Sequence, residues 1–116
     1  MIAVDIGTGS VVWRARYDAA GRVSGNPKGI VVSADGQEVV VTGDAGRPRS
    51  WGTVYATVAF GVTNGEQLWV KKYGFGLGAN DHYVSAIAAA PQGGVYVTGE
   101  SEGPTGWSDF ATIRYS

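Results

Sequence analysis

Apolar residues in this chain cluster or alternate over short runs, and no stretch shows a helical spacing. "GIVVSA" (29–34), "EVVVTGD" (38–44), "TVYATVAFGV" (53–62) and "EQLWVKKY" (66–73) are rich in β-branched and aromatic residues, each bounded by turn formers. The pattern predicts strands joined by tight turns. "ADGQ" links the first two, and "TNGE" the last two, with Asn64 and Gly65 suited to the positive φ values of a type I′ hairpin. "PQGG" (91–94) does the same further on. "VVV" at 39–41 is apolar on both faces and predicts a central, doubly covered strand, whereas "EQLWVKK" alternates and predicts a peripheral one. "SAIAAA" (85–90) is nearly all small, as suits a strand where several sheets converge.

The strand set is written twice. Gly43 and Gly99, Trp13 and Trp69, Tyr17 and Tyr73, Thr42 and Thr98, and Trp51 and Trp107 each stand 56 positions apart, with the register running ungapped between them. "YATVAF" (55–60) then meets "FATIRY" (110–115) at a step of 55, one loop residue having been lost. A period of this length marks a repeat architecture, whose units cannot bury their own faces and stack on neighbours. The expected fold is all-β: about two blades of four-stranded antiparallel sheet in an incomplete β-propeller ring. Residues 1–17 supply the outer strands of a preceding blade, 29–73 a complete blade, and 84–116 a following blade without its outermost strand. Propellers close with about four to eight blades. The expectation is therefore a fragment of a longer propeller, or several copies assembling, so that the partners are further blades or other copies of the chain.

Composition agrees with a folded domain: 44% hydrophobic and 16% charged residues, with 19 glycines for turns and four tryptophans to wedge between layers. Nine Lys plus Arg against ten Asp plus Glu leave a net charge of −1, which gives no footprint for nucleic acid. No apolar run reaches membrane-helix length, and the start "MIAVDIGTG" has no signal-peptide form. With no cysteine, disulfides, thiolate metal sites and thiol nucleophiles are excluded.

"ATVAFGVTNGEQLWVKKYG", "AIAAAPQGGVYVTGES" and "DFATIRYS" together resemble the SBBP-type β-propeller repeats of large bacterial surface and secreted proteins. The resemblance implies a propeller, an extracellular or cell-surface location, and packing of Trp13 and Trp69 on outer strands. The loop "DAAGRVSGNPKG" departs most from that pattern. "AVDIGTGSVVW" (3–13) also resembles the tryptophan-docking motif of quinoprotein propellers, which clips adjacent blades together and holds no quinone itself.

Candidate chemistry is sparse. Asn80, Asp81 and His82 in "GANDHY" form the most polar loop, yet lack the regular spacing of a calcium loop and read as Asn/Asp capping between strands. His82 is the sole histidine, and a Ser-His-Asp triad would need Ser85 or Ser24 without a nucleophile motif. Asp44 and Glu100 follow the two Thr-Gly pairs and read as strand ends at a solvated rim. "GTG" (7–9) lacks the lysine and helix of a phosphate loop. Arg14, Arg16, Lys71 and Lys72 discourage edge pairing on peripheral strands. Trp51 and Trp107 follow turn-rich loops and read as blade packing, with carbohydrate stacking as the other reading. No catalytic or cofactor site is expected. The expected role is a structural or adhesive scaffold for protein or glycan contacts, the alternative being a piece of a propeller enzyme, a quinoprotein dehydrogenase or hydrolase, with its active site on other blades.

Overall fold

The computed structural model describes residues 2–4, 7–17, 25–46, 52–74, 81–103 and 106–116. Trp51 and Asn80 lie outside the described residues. The described chain is all β: β1 (Ile2–Val4), β2 (Val11–Arg14), β3 (Gly25–Val32), β4 (Glu38–Gly46), β5 (Thr53–Gly61), β6 (Gln67–Tyr73), β7 (His82–Ala89), β8 (Val95–Glu102) and β9 (Ser108–Tyr115). They form three antiparallel meanders, β1-β2, β3-β4-β5-β6 and β7-β8-β9. Every connection within a sheet is a hairpin, as the closely spaced turn signals require. No helix among the described residues is long and apolar enough to cross a membrane.

The duplicated sequence gives duplicated geometry. In the first large sheet Thr42 is opposite Thr57, and in the second Thr98 is opposite Thr112. The Thr42 hydroxyl donates to Ala56 O at 3.2 Å and meets the Thr57 hydroxyl at 2.9 Å; Thr98 repeats this with Ala111 O at 3.3 Å and Thr112 at 2.9 Å. The glycine after each threonine also has one job. A Cβ on Gly43 would lie 2.2 Å from Asn26 O, and one on Gly99 would lie 2.0 Å from Tyr83 O, so the neighbouring first strand runs where a side chain would stand.

The β1-β2 hairpin repeats β5-β6 in the same way. Ala3 faces Trp13 as Ala59 faces Trp69, with the pairing irregular after Ala3 and again after Ala59. Gly9 and Gly65 adopt φ of 74° and 72°. The two strands at the start of the chain therefore have the form of an outer half-sheet.

Three local expectations change. The first strands begin earlier than 29 and 84, at Gly25 and His82, because an edge strand tolerates Pro27 and a bulge by Lys28 that the sequence pattern reads as loop. The register is not ungapped throughout. Thr42 pairs with Gly29 while Thr98 pairs with Ala86, so the first strands stand 57 apart, and a β3–β4 loop one residue longer restores the 56-residue step. The β5–β6 connection is a four-residue loop, 62–65, not a two-residue type I′ turn: Gly61 N donates to Glu66 O at 2.8 Å, and Gly65 N donates to Gly61 O at 2.9 Å.

The two large sheets pack face to face, with β7 across β3, β4 and β5. Val40, Tyr55 and Ala59 meet Val84, Val95 and Val97 in the main core, flanked by Val31, Trp69, Tyr73, Ile87, Ile113 and Tyr115. Contacts across this interface differ from place to place. Where β3 meets β7 the approach is close, a Cβ on Gly29 falling 2.8 Å from the Ile87 methyl, whereas Trp69 of β6 and Tyr115 of β9 fill the far side with ring centroids 6.0 Å apart. The expectation that β4 is central and β6 peripheral agrees with the strand order.

Candidate functional site

Alternation within a strand sends neighbouring side chains to opposite faces, so each sheet has two faces that can be compared through the repeat. On the first large sheet, Val40, Thr42, Asp44, Tyr55, Thr57 and Ala59 share the face against the second sheet. Their counterparts on the second sheet are Tyr96, Thr98, Glu100, Phe110, Thr112 and Arg114. That second face is bare. Tyr55 is 0% exposed and Phe110 is 85% exposed, although each is opposite the acid that follows Thr-Gly.

The covered face shows what such a surface does when occupied. Val84 N donates to Asp44 Oδ1 at 2.6 Å, the Tyr55 hydroxyl donates to Glu100 O at 3.0 Å, and Thr53 exchanges hydrogen bonds with the His82 backbone at 2.9 and 3.2 Å. Lys28 Nζ stands 3.7 Å from Asp44 Oδ2. Asp44 is only 7% exposed, so the expectation of a solvated rim fails for it: β4 continues past it to Gly46, and the second sheet lies over it. Glu100, its counterpart, is exposed.

His82 is packing rather than a ligand in an open loop. It is 0% exposed, edge-on to Tyr55 and Tyr73 with centroids 6.5 and 5.8 Å away, and its Nδ1 is 2.9 Å from Ser101 Oγ. Gly74 leaves room for the ring, since a Cβ there would stand 2.6 Å from His82 Cδ2. Ser85 sits instead at the β7 bulge on the bare face, so the histidine and that serine are not brought together. Asp81 remains at the entry to β7, where Asp81 N donates to Glu102 Oε2 at 3.3 Å and Glu102 N donates to Asp81 O at 3.1 Å. The Asp81 charge pushes the exposed Tyr83 phenol upward.

Trp13 meets a defined seat. Its indole N–H donates to Val62 O at 2.7 Å and the ring lies on Gly65, where a Cβ would be 2.5 Å from the ring edge. Trp69 packs on Tyr115 instead. Tyr17 covers Ala45, Val54 and Ala56, beside a cleft of about 220 Å³ that also touches Arg16, Pro27, Val41 and Phe60. On the same outer face Ile30 and Val32 remain 57% and 54% exposed.

Trp107 is 81% exposed, so no packing between the described sheets accounts for it. Its loop is closed by Gly103 N donating to Trp107 O at 2.9 Å, and Phe110 follows on the same sheet. Tyr96, over which Arg114 lies at 5.8 Å, is on the same bare face further along the sheet, and Phe110 itself is beside Glu100, Asp109 and Ser108. Phe110 and Tyr96 do not stand out in the sequence as site residues. The signal was the 55-residue step, which sets Phe110 opposite a tyrosine that is covered. Among the described residues no group of three His, Cys, Asp or Glu is placed to hold a metal ion. No protein-family model matches the chain, and no curated protein matches it.

Proposed function

We propose that the chain is a segment of a β-propeller whose sheets are successive blades, and that its role is structural or adhesive rather than catalytic. One observation carries the reading. Two sheets with the same Thr-Thr and close-glycine geometry are stacked so that Tyr55 is buried between them while Phe110, in the same place one repeat later, is in solvent. A stack of that kind has a covered face wherever another sheet follows and an apolar one wherever none does. The close approach of β3 and β7 at Gly29 and Ile87, against the large rings of Trp69 on β6 and Tyr115 on β9, supports a radial arrangement with the first strands innermost. Trp107 and the loop that carries it then sit at the margin of a blade, placed for contact with protein or glycan, since an exposed indole offers an apolar plane with a polar N–H.

The test extends the stack. Residues 62–116 are appended after Ser116, which continues the repeat in register, and Phe110→Cys supplies the only thiol. Thiol labelling at position 110 is rapid in the original chain and slows in the extended one at concentrations where both are monomeric. Equal labelling rates would reject the reading.

A further inference from the structure

The two smaller sheets between them hold every strand position of the four-stranded sheet, with β1 and β9 both matching β5. The β1-β2 hairpin has the register, bulge and glycine conformation of the outer half of a four-stranded sheet, and β7-β8-β9 has those of the inner three strands. Among the described residues β9 has no strand on its far side, and the matching edge of β2 is held by β1, which stands where β9 would. The outer face of the first large sheet is covered by Tyr17 but leaves Ile30, Val32 and the cleft at Pro27 and Val41 open on the inner side. The outward face of the second large sheet leaves Tyr96 and Phe110 open, and among the described residues β9 pairs with β8 alone.

We propose that these two halves join between copies of the chain: β2 of one copy adds to the edge of β9 of another, displacing its own β1, to complete a shared four-stranded sheet. This rests on the repeat-scaffold reading above. The interface between the two large sheets is its template, because the joined sheet presents Phe110 and Glu100 to the second copy as Tyr55 and Asp44 are presented to β7. Residue pairing follows from β5-β6. Ala56 faces Lys72, so Ala111 of one copy faces Arg16 of the next; Ala59 faces Trp69, so Arg114 faces Trp13. Gly9, with φ of 74° and nothing within 4 Å of a Cβ position, becomes the seat for the preceding copy's Trp69, as Gly65 is for Trp13. The contact is head-to-tail, and such contacts generate closed rings or open filaments. Each copy contributes one whole sheet and one shared sheet, so rings of about two to four copies fall in the size range of propellers.

The experiment uses the full chain, which has no cysteine of its own. Arg16→Cys and Ala111→Cys are made singly, mixed and oxidised, alongside sedimentation velocity of the unaltered chain over a concentration series. The expected result is a mass that rises to a multiple of the monomer, a disulfide between the two variants, and loss of both with Phe110→Asp, which alters a side chain already in solvent. A monomer at every concentration overturns the inference, including the case where residues appended after Ser116 are what cover Phe110. Assembly without the 16–111 disulfide overturns it too, since the contact is then a different one.

Discussion

Trp13 packs its ring on Gly65, 52 residues away in the chain, and donates its indole proton to Val62 O at 2.7 Å. The glycine serves two demands there: a left-handed backbone at φ of 72°, and a surface flat enough for a ring. Substitution separates them. Gly36 has φ of 73° with open space around it, so Gly36→Ala costs about 1 kcal/mol from backbone strain alone. Gly65→Ala must also dislodge the ring and costs about 2 kcal/mol or more. Urea denaturation of both variants checks this, and equal losses would remove the docking role of Trp13.

The Thr-Gly glycines predict a different pattern. Gly43→Ala and Gly99→Ala drive a methyl into backbone atoms that cannot rotate away, so each loses about 3 kcal/mol. Gly25→Ala, with nothing within 4 Å, changes stability by less than about 1 kcal/mol. Thermal melts of the three variants suffice to compare them.

Asp44 and Glu100 are the same position in two repeats with opposite surroundings. Asp44→Ala leaves the Val84 amide without its acceptor in a buried place and loses about 2 kcal/mol. Glu100→Ala removes an exposed carboxylate and changes stability by no more than about 0.5 kcal/mol. Chemical denaturation of the monomeric chain measures both, and a large effect at Glu100 would mean that its face is already occupied.

Alkaline titration reports on the core. Burial pushes the Tyr55 phenol up to about 12, with Tyr73 and Asp44 adding to the rise. Below pH 10 the phenol is protonated in folded and unfolded chains alike, so stability is at its full value. Above pH 10 the unfolded chain releases the proton first, and stability falls until the folded phenol ionises near 12. Tyr115 is raised by burial as well and adds to the same fall. Tyr55→Phe, compared by denaturant midpoints from pH 9 to 11.5, should flatten part of the slope; an unchanged slope would assign the alkaline loss elsewhere.

Strand identity, strand order and the repeat were legible because β-branched runs, Gly-rich turns and paired tryptophans are local signals that survive duplication. The start of β3 was not, since Pro27 and Lys28 carry turn chemistry that an edge strand accommodates by bulging. The compensating one-residue shifts on either side of β3 were hidden for the same reason: register is set by pairing across strands, and a constant step in the flanking sequence conceals it. The role of His82 was illegible because a polar neighbourhood in sequence, "GANDHY", becomes an aromatic one in space once Tyr55 and Tyr73 close on the ring. Burial of Asp44 likewise depends on a sheet 40 residues further along.

The sheet interface is filled unequally, by a bare glycine against Ile87 at one place and by two large rings at Trp69 and Tyr115 at another. A bulkier residue at position 29 would press on the Ile87 methyl and push β3 away from β7, so one hydrogen atom in place of a methyl sets how closely the two sheets approach at that end.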